Sequence, residues 1–325
     1  MPWESFRDEY SRLKVSTFHS EESMISSEVR LDICERIVKP RTLADMCKSE
    51  TLSRLQAELR AGAASRKKTR AASTTQNYLK ALLAALNWAH DLEWIEKVRF
   101  RPSVAVQQAK GDPVTASEFS AMLEAVEVVC PHDIEGWRFY LNIIWTTGLR
   151  RGEALALSWD DPKEIRPKRD KNGYVVLEIP ATRQKNKKTQ TVPTIPEFAD
   201  LLESVPLDDR TGWLCSPMKF RGVGRYTDKR RVGRVVSRIG EESGTGKHAH
   251  DIRRGFGQRM ADAEIPPRDL QLMMRHASYT TTEAYYLKSD AAASSRRIGE
   301  CLNVYPEKVG TVAEPNDQQI DAVSS

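Results

Sequence analysis

What this chain of 325 residues lacks narrows its class before any motif is read. Its five cysteines, Cys34, Cys47, Cys130, Cys215 and Cys301, lie far apart, and no CxxC pair occurs. That spacing speaks against both a zinc finger and a disulfide framework, and free thiols in a reducing compartment are expected. No apolar run approaches membrane-spanning length, so no membrane association is expected. The first 25 residues scatter Glu4, Arg7, Asp8, Glu9, Arg12, Lys14, Glu21 and Glu22, a pattern no secretory leader has. A cytoplasmic protein is expected. His248 and His250 have no nearby cysteine or third histidine to complete a metal site, so no metal is expected there. No GxxxxGK[ST] loop is present to cradle nucleotide phosphates, and no acidic cluster to hold a divalent ion. No internal repeat is visible.

What is present is a globular composition, 40% hydrophobic and 29% charged, in a chain long enough for two domains. The formal net charge of +5 is modest, but its distribution is uneven. Residues 60–110 hold a balance of +7, residues 163–190 of +6 and residues 219–254 of +7, which leaves −15 for the rest of the chain. A single basic block is usually a solvated face. Three of them on an otherwise acidic chain point to a polyanion partner, nucleic acid above all.

The N-terminal third reads as helical. Leu79, Leu82, Leu83 and Leu86 recur with the i, i+3, i+4, i+7 spacing of one amphipathic stripe over residues 74–92, with Ser73 or Thr74 as the cap. The preceding SRKKTRAAS (65–73) is too basic and too small-residued for a core; it suits a loop or helix start facing an anion. The Pro- and Gly-punctuated stretch around 100–113 reads as a linker. Thr115 and Glu118 form a capping box that opens the next helix, and a long apolar segment, 137–147, ends at Gly148. Residues 174–180 and 189–193 read as two short strands joined by the polar hairpin loop TRQKNKK (182–188). Helices are expected at about 196–204, 229–242, 250–262, 267–275 and 281–287, and a flexible tail at the end. The expected class is mainly α with a small β-sheet (α+β).

Four short stretches of the second domain carry chemistry. TTGLRRGEALALSW (146–159) ends a helix at Gly148 and then presents Arg150, with Glu153 three residues on to hold its guanidinium. HAHDIRRGFG (248–257) puts His250 and Arg253 on one helical face, an arrangement suited to gripping one phosphate. RQKNKKTQTVP (183–193) is a lysine-rich hairpin tip. RHASYTTTEAYY (275–286) places three tyrosines after an Arg-His pair. Each alone is weak: a surface arginine, a chance His-x-x-Arg, solvated lysines, packing aromatics.

Together and in this order, they resemble the tyrosine recombinase (phage integrase) family, and in wording its phage-type site-specific integrases. The likeness covers about residues 111–290 by motif, and extends more loosely to the helical N-terminal part. It implies a helical core-binding (SAM-like) DNA-binding domain over 1–105, a linker at 106–113, a catalytic domain over 114–300 and a flexible tail over 301–325. The two domains are expected to form a C-shaped clamp on DNA. One departure from the family pattern is visible: glycine commonly precedes the third-box histidine, whereas here Arg275 does, placing an extra positive charge beside the site.

The resemblance implies transesterification at a DNA phosphodiester, metal- and ATP-independent and without a cofactor. Tyr285, nine residues after His276, is the implied nucleophile. Tyr286 points about 100° away on a helix and is expected to pack. Arg150 and Arg253 would neutralise the transition-state charge, and His250 and His276 would hydrogen-bond the phosphate. Lys185 would be the general acid, with Lys187 and Lys188 competing for that role or serving as phosphate contacts. Glu153 would orient Arg150. Backbone contacts are expected from Arg66, Lys67, Lys68, Arg70, Lys187, Lys188, Lys229, Arg230 and Arg231. The implied partners are double-stranded DNA recombination sites and further copies of the chain in a synaptic tetramer, with room for a directionality factor or a host DNA-bending protein. The place implied is the cytoplasm of a bacterium, at the nucleoid. The same chemistry could serve integration or excision of a prophage or mobile element, chromosome-dimer resolution or transposition. A type IB topoisomerase shares the nucleophile, and a catalytically inactive DNA-binding relative is the alternative of a different class.

Overall fold

The computed structural model describes residues 1–18, 20–64, 69–103, 111–184, 187–219 and 224–286. The chain divides into two compact units, Met1–Lys110 and Gly111–Ser325. Most of the expected linker, and the expected tail, lie outside the described residues. Mainly α with a small sheet is the class observed, and among the described residues no helix is long and apolar enough to cross a membrane.

The first unit is built from α1 (Trp3–Leu13), α2 (Glu21–Val38), α3 (Leu43–Cys47), α4 (Ser49–Ala61) and α5 (Ala72–Asp91). Its core joins Trp3, Phe6 and Tyr10 of α1 to Leu31 and Cys34 of α2, Leu52, Leu55 and Leu59 of α4, and Leu79, Leu82 and Leu86 of α5. The leucine stripe of α5 is thus its buried face, with Leu83 half-buried beside it. The expected cap is corrected: α5 starts after Ala71, which makes no side-chain cap bond, and Ser73 and Thr74 lie inside the first turn. An extended Ala71 already turns the chain into the helix, so the hydroxyls come too late to cap it.

The second unit contains α6 (Ala116–Val129), α7 (Ile134–Thr147), the short α8 (Arg151–Ala154), β1 (Arg166–Arg169), β2 (Val175–Ile179), β3 (Gln190–Pro193), α9 (Pro196–Glu203), α10 (Lys229–Glu242), α11 (Ala249–Asp262), α12 (Pro267–Met274) and α13 (Tyr279–Tyr286). Its start is set by the reciprocal capping box: Thr115 Oγ1 accepts from Glu118 N at 3.3 Å, and Glu118 Oε2 accepts from Thr115 N at 2.8 Å. The sheet is antiparallel in the order β1-β2-β3, with Leu177 opposite Pro167 on one side and Val192 on the other. Leu177, Ile179 and Val192 face the core with Trp137, Ile144, Phe198, Val232 and Ile252. β2 and β3 are the two strands the residue pattern predicts. β1 was not expected, because its sequence RPKR has no apolar alternation. It holds as an edge strand, where proline is tolerated, and Arg166 and Lys168 both pair with Glu178 across it, at 2.7 and 2.6 Å.

Candidate active site

Three chain reversals bring the singled-out residues together. The first is the end of α7. Gly148 closes it at φ +62°, donating to Ile144 O at 2.9 Å, and a Cβ there would come within 2.4 Å of the Phe256 ring. Only glycine satisfies both conditions. The chain then extends through buried Leu149 to Arg150, which caps α8. Glu153 holds Arg150 at both ends: Oε2 accepts from the backbone N–H at 2.9 Å and Oε1 from Nη1 at 3.1 Å. The Arg150 side chain remains 48% exposed.

The second reversal is the start of α11. His248 caps it, and buried Asp251 accepts from His248 N at 3.0 Å while pairing with Arg254 at 2.6 Å. Asp251 is therefore a helix-start residue. One turn on, Arg253 is 2% exposed and has no carboxylate among its described hydrogen bonds. Its Nη1 donates to the Gly148 carbonyl and its Nη2 to the Met274 carbonyl. One guanidinium thus ties the end of α7 to the end of α12. Burial, then repulsion from Arg150, lowers its pKa to about 10.

The third reversal lies between α12 and α13. His276 is half-buried, its Nδ1 2.9 Å from Oγ1 of the buried Thr282. Burial, Arg253, Arg150 and His250 together push its pKa down to about 4. Tyr285 stacks on that imidazole, ring centroids 6.2 Å apart and planes 5° from parallel. Its ring edge lies against Gly257 of α11, where a Cβ would come within 2.9 Å. Burial raises the Tyr285 pKa, against the pull of Arg253 and Arg254. His250 is exposed overall, yet loss of hydration, followed by Arg254 and Arg253, lowers its pKa. Tyr279 is 48% exposed, and the side chain of Tyr286 lies outside the described residues.

Arg150, His250, Arg253, His276 and Tyr285 therefore form one electrostatically connected cluster. Arg150 lines two cavities. One, of about 910 Å³, also takes in Glu153, Arg183, Arg275 and His276. The other, of about 470 Å³, also takes in Arg151, Ser237, His250 and Arg253. Lys185 lies outside the described residues; Lys187, at φ +51°, and Lys188 are exposed on the following turn. Among the described residues no three His, Cys, Asp or Glu side chains gather to hold a metal ion.

The expected backbone contacts divide. Arg66, Lys67 and Lys68 lie outside the described residues. Arg70 donates to Leu59 O at 3.0 Å and sits 5.3 Å over the Tyr78 ring, so its guanidinium also braces the first unit. Lys229, Arg230 and Arg231 are exposed on the first turn of α10, Arg231 3.7 Å from Asp228. Motif reading passed over Thr282, which braces His276, and Gly257, which makes room for Tyr285. The one signal for Gly257 was a glycine inside a helix, four residues after Arg253.

A model of the phage integrase family matches residues 113–292. A resolvase of Escherichia coli is 28% identical over 177 residues, covering 46% of this chain and 65% of its own length. The prophage integrase IntR of Escherichia coli strain K12 is 31% identical over 99 residues, 30% of this chain and 22% of that protein. The chain thus spans less than two thirds of these relatives. Among solved structures, the Tn1549 transposon integrase in complex with transposon right end DNA matches with TM-score 0.65 at 16% identity, covering 91% of this chain and 98% of that one. A lambda integrase dimer bound to a COC′ core site matches with TM-score 0.65 at 18% identity, covering 88% and 77%. A lambda integrase tetramer bound to a Holliday junction matches with TM-score 0.65 at 16% identity. At such identities these likenesses concern the fold.

Proposed function

The chain belongs to the phage integrase family, and from that premise we propose that it is a site-specific tyrosine recombinase that cuts and rejoins DNA through a 3′-phosphotyrosine, integrating or excising a prophage or mobile element. The observation that carries this reading is the bridge made by Arg253. It joins the carbonyls of Gly148 and Met274, and so gathers Arg150, His276 and Tyr285 about one guanidinium that no carboxylate hydrogen-bonds among the described contacts.

Tyr285 Oη attacks the scissile phosphorus, the P–O5′ bond breaks, and the 5′-oxygen leaves with a proton. The phosphodiester energy is kept in the P–O–tyrosine link, so rejoining by a 5′-hydroxyl needs no ATP. Charge that builds on the nonbridging oxygens is met by Arg150 and Arg253, since guanidinium is always charged and bonds two oxygens at once. Such preorganised donors are each worth about 3–4 kcal/mol. His276 is neutral at pH 7. Its Nδ1 is engaged by Thr282 Oγ1, which leaves Nε2 as the ring nitrogen for the phosphate. Tyr285 starts as a phenol, and neutral His250 is the group suited to help deprotonate it. Lys185 is the proton donor to the leaving oxygen, with Lys187 and Lys188 as competitors. Backbone contacts from Arg70, Lys187, Lys188, Lys229, Arg230 and Arg231 would make binding salt-dependent. The working assembly is a tetramer on two DNA sites in the cytoplasm. The relatives named resolvase favour resolution, such as that of chromosome dimers, as the second use of the same chemistry.

The test is covalent trapping. Nicked duplexes carrying candidate attachment sites from the flanking genome are incubated, in EDTA, with the wild type and with Tyr285→Phe. An SDS-resistant adduct from the wild type alone is expected. An adduct from Tyr285→Phe would move the nucleophile elsewhere, with Tyr286 next. A wild type that binds a site without forming an adduct would favour a DNA-binding protein without catalysis.

A further inference from the structure

Arg275 occupies a position built for glycine and does something glycine cannot. It ends α12 at φ +50°, the left-handed region that favours a residue without Cβ. Its side chain is 12% exposed, and its Nε is buried without a hydrogen-bond partner. It is a largely packed cation at the wall of the larger cavity. Its Nη1 donates to Glu153 Oε1 at 2.8 Å. That same oxygen accepts from Arg150 Nη1 at 3.1 Å. Arg275 also meets Arg150 directly, since its backbone carbonyl lies 3.4 Å from Arg150 Nη2.

The charges explain why two arginines share one carboxylate. Glu153 paired with Arg150 alone would orient it and also cancel the charge a phosphate needs. With Arg275 on the same oxygen, the three side chains together keep a net positive charge. Glu153 is fixed from the α12 side and uses one edge of Arg150. The Arg150 nitrogen left over has a single, long contact to a carbonyl, which an incoming phosphate oxygen displaces readily.

We propose that Arg275 is a positioning residue for strand cleavage: by pairing with Glu153 it holds the carboxylate that orients Arg150 and leaves the Arg150 charge available to the scissile phosphate. The inference rests on the recombinase reading above. The experiment measures the first-order rate of adduct formation at saturating nicked duplex, with DNA affinity read separately. R275Q slows the rate about tenfold with affinity little changed, and R275K recovers part of it. E153Q is slow as well, and R275Q adds no further loss in the E153Q background. R275G accepts φ +50° without a Cβ and melts no lower than R275Q, yet stays slow. A residue that merely ended the helix would let the rate follow the melting temperature. On a duplex whose scissile phosphate carries methyl in place of one nonbridging oxygen, the R275Q penalty shrinks, because Arg150 has less charge to meet.

Wild-type rates in R275Q and R275G, or an R275Q penalty equal in the Glu153 and E153Q backgrounds, would overturn the proposal. Should the wild type itself form no adduct, the recombinase reading falls, and the pair is judged in the free protein. Thermal unfolding of wild type, E153Q, R275Q and the double variant then decides. Non-additive shifts retain the pairing, and additive shifts overturn it.

Discussion

Two arginines held largely out of solvent, one in each unit, are satisfied in opposite ways. Arg7 in α1 meets three carboxylates of α2: Glu28 at 2.6 Å, Asp32 at 2.9 Å and Glu35 at 3.0 Å. Burial alone would lower its pKa, but Asp32 and Glu28 outweigh burial and raise it. Arg253 in α11 meets two neutral carbonyls, and burial takes it down to about 10. The charge of Arg7 is consumed inside the unit and ties α1 to α2. The charge of Arg253 is geometrically fixed by carbonyls, with Glu153 acting on it only through space. A buried charge without a counter-ion is costly, and on the reading proposed above the DNA phosphate is the counter-ion that arrives from outside.

The comparison can be broken most directly at its two arginines. Arg253→Gln should slow adduct formation by about 10²–10³-fold at saturating DNA. Arg7→Gln leaves three carboxylates facing one another and should lower unfolding stability by about 1–3 kcal/mol, read from a denaturant midpoint. The rate per folded molecule should be unchanged; an Arg7→Gln protein that cleaves as poorly as Arg253→Gln would end the distinction. Next in size is Gly257→Ala. Its Cβ would press on the Tyr285 ring, and overpacking of about 1–3 kcal/mol should slow cleavage about tenfold while binding persists. Loss of binding in step with rate would show that Gly257 serves the fold and not the nucleophile.

The smallest effect is a pH dependence. His276 has its pKa lowered from 6.5 to about 4 by burial, Arg253, Arg150 and His250. As pH falls through that window the unfolded chain takes up the proton first, so stability is complete above about 6.5 and declines toward 4. Replacing it, as in His276→Asn, removes that share. The full shift would shrink the difference in unfolding free energy between pH 7 and pH 5 by about 2 kcal/mol, and solvent screening of the half-exposed imidazole brings the expected change to about 1 kcal/mol. An unchanged difference would mean that the cations do not act on His276 as described.

The helices and the order of the candidate residues were legible because each rests on local chemistry. The leucine stripe of α5, the Thr115–Glu118 box and the glycine after α7 are signals within a few residues of one another. β1 was illegible, because its residues are held by Glu178 across the strand pair and not by an apolar face. The cap of α5 was misplaced for the related reason that Ala71 enters the helix by backbone conformation alone. Arg275 was visible as a departure from glycine, but nothing near it in the chain names Glu153 as its partner, since 122 residues separate them.

The sequence by itself determined the fold class, the family to which the chain belongs and the succession Arg150, His250, Arg253, His276, Tyr285, because periodicity, caps and motif order are properties of neighbouring residues. Tertiary structure alone decided that Arg253 bridges Gly148 and Met274, that Tyr285 rests between His276 and Gly257, and that Glu153 serves two arginines. Those are contacts between segments far apart in the chain. Burial and Coulomb terms depend on what folding brings within a few ångströms, which residue order does not specify.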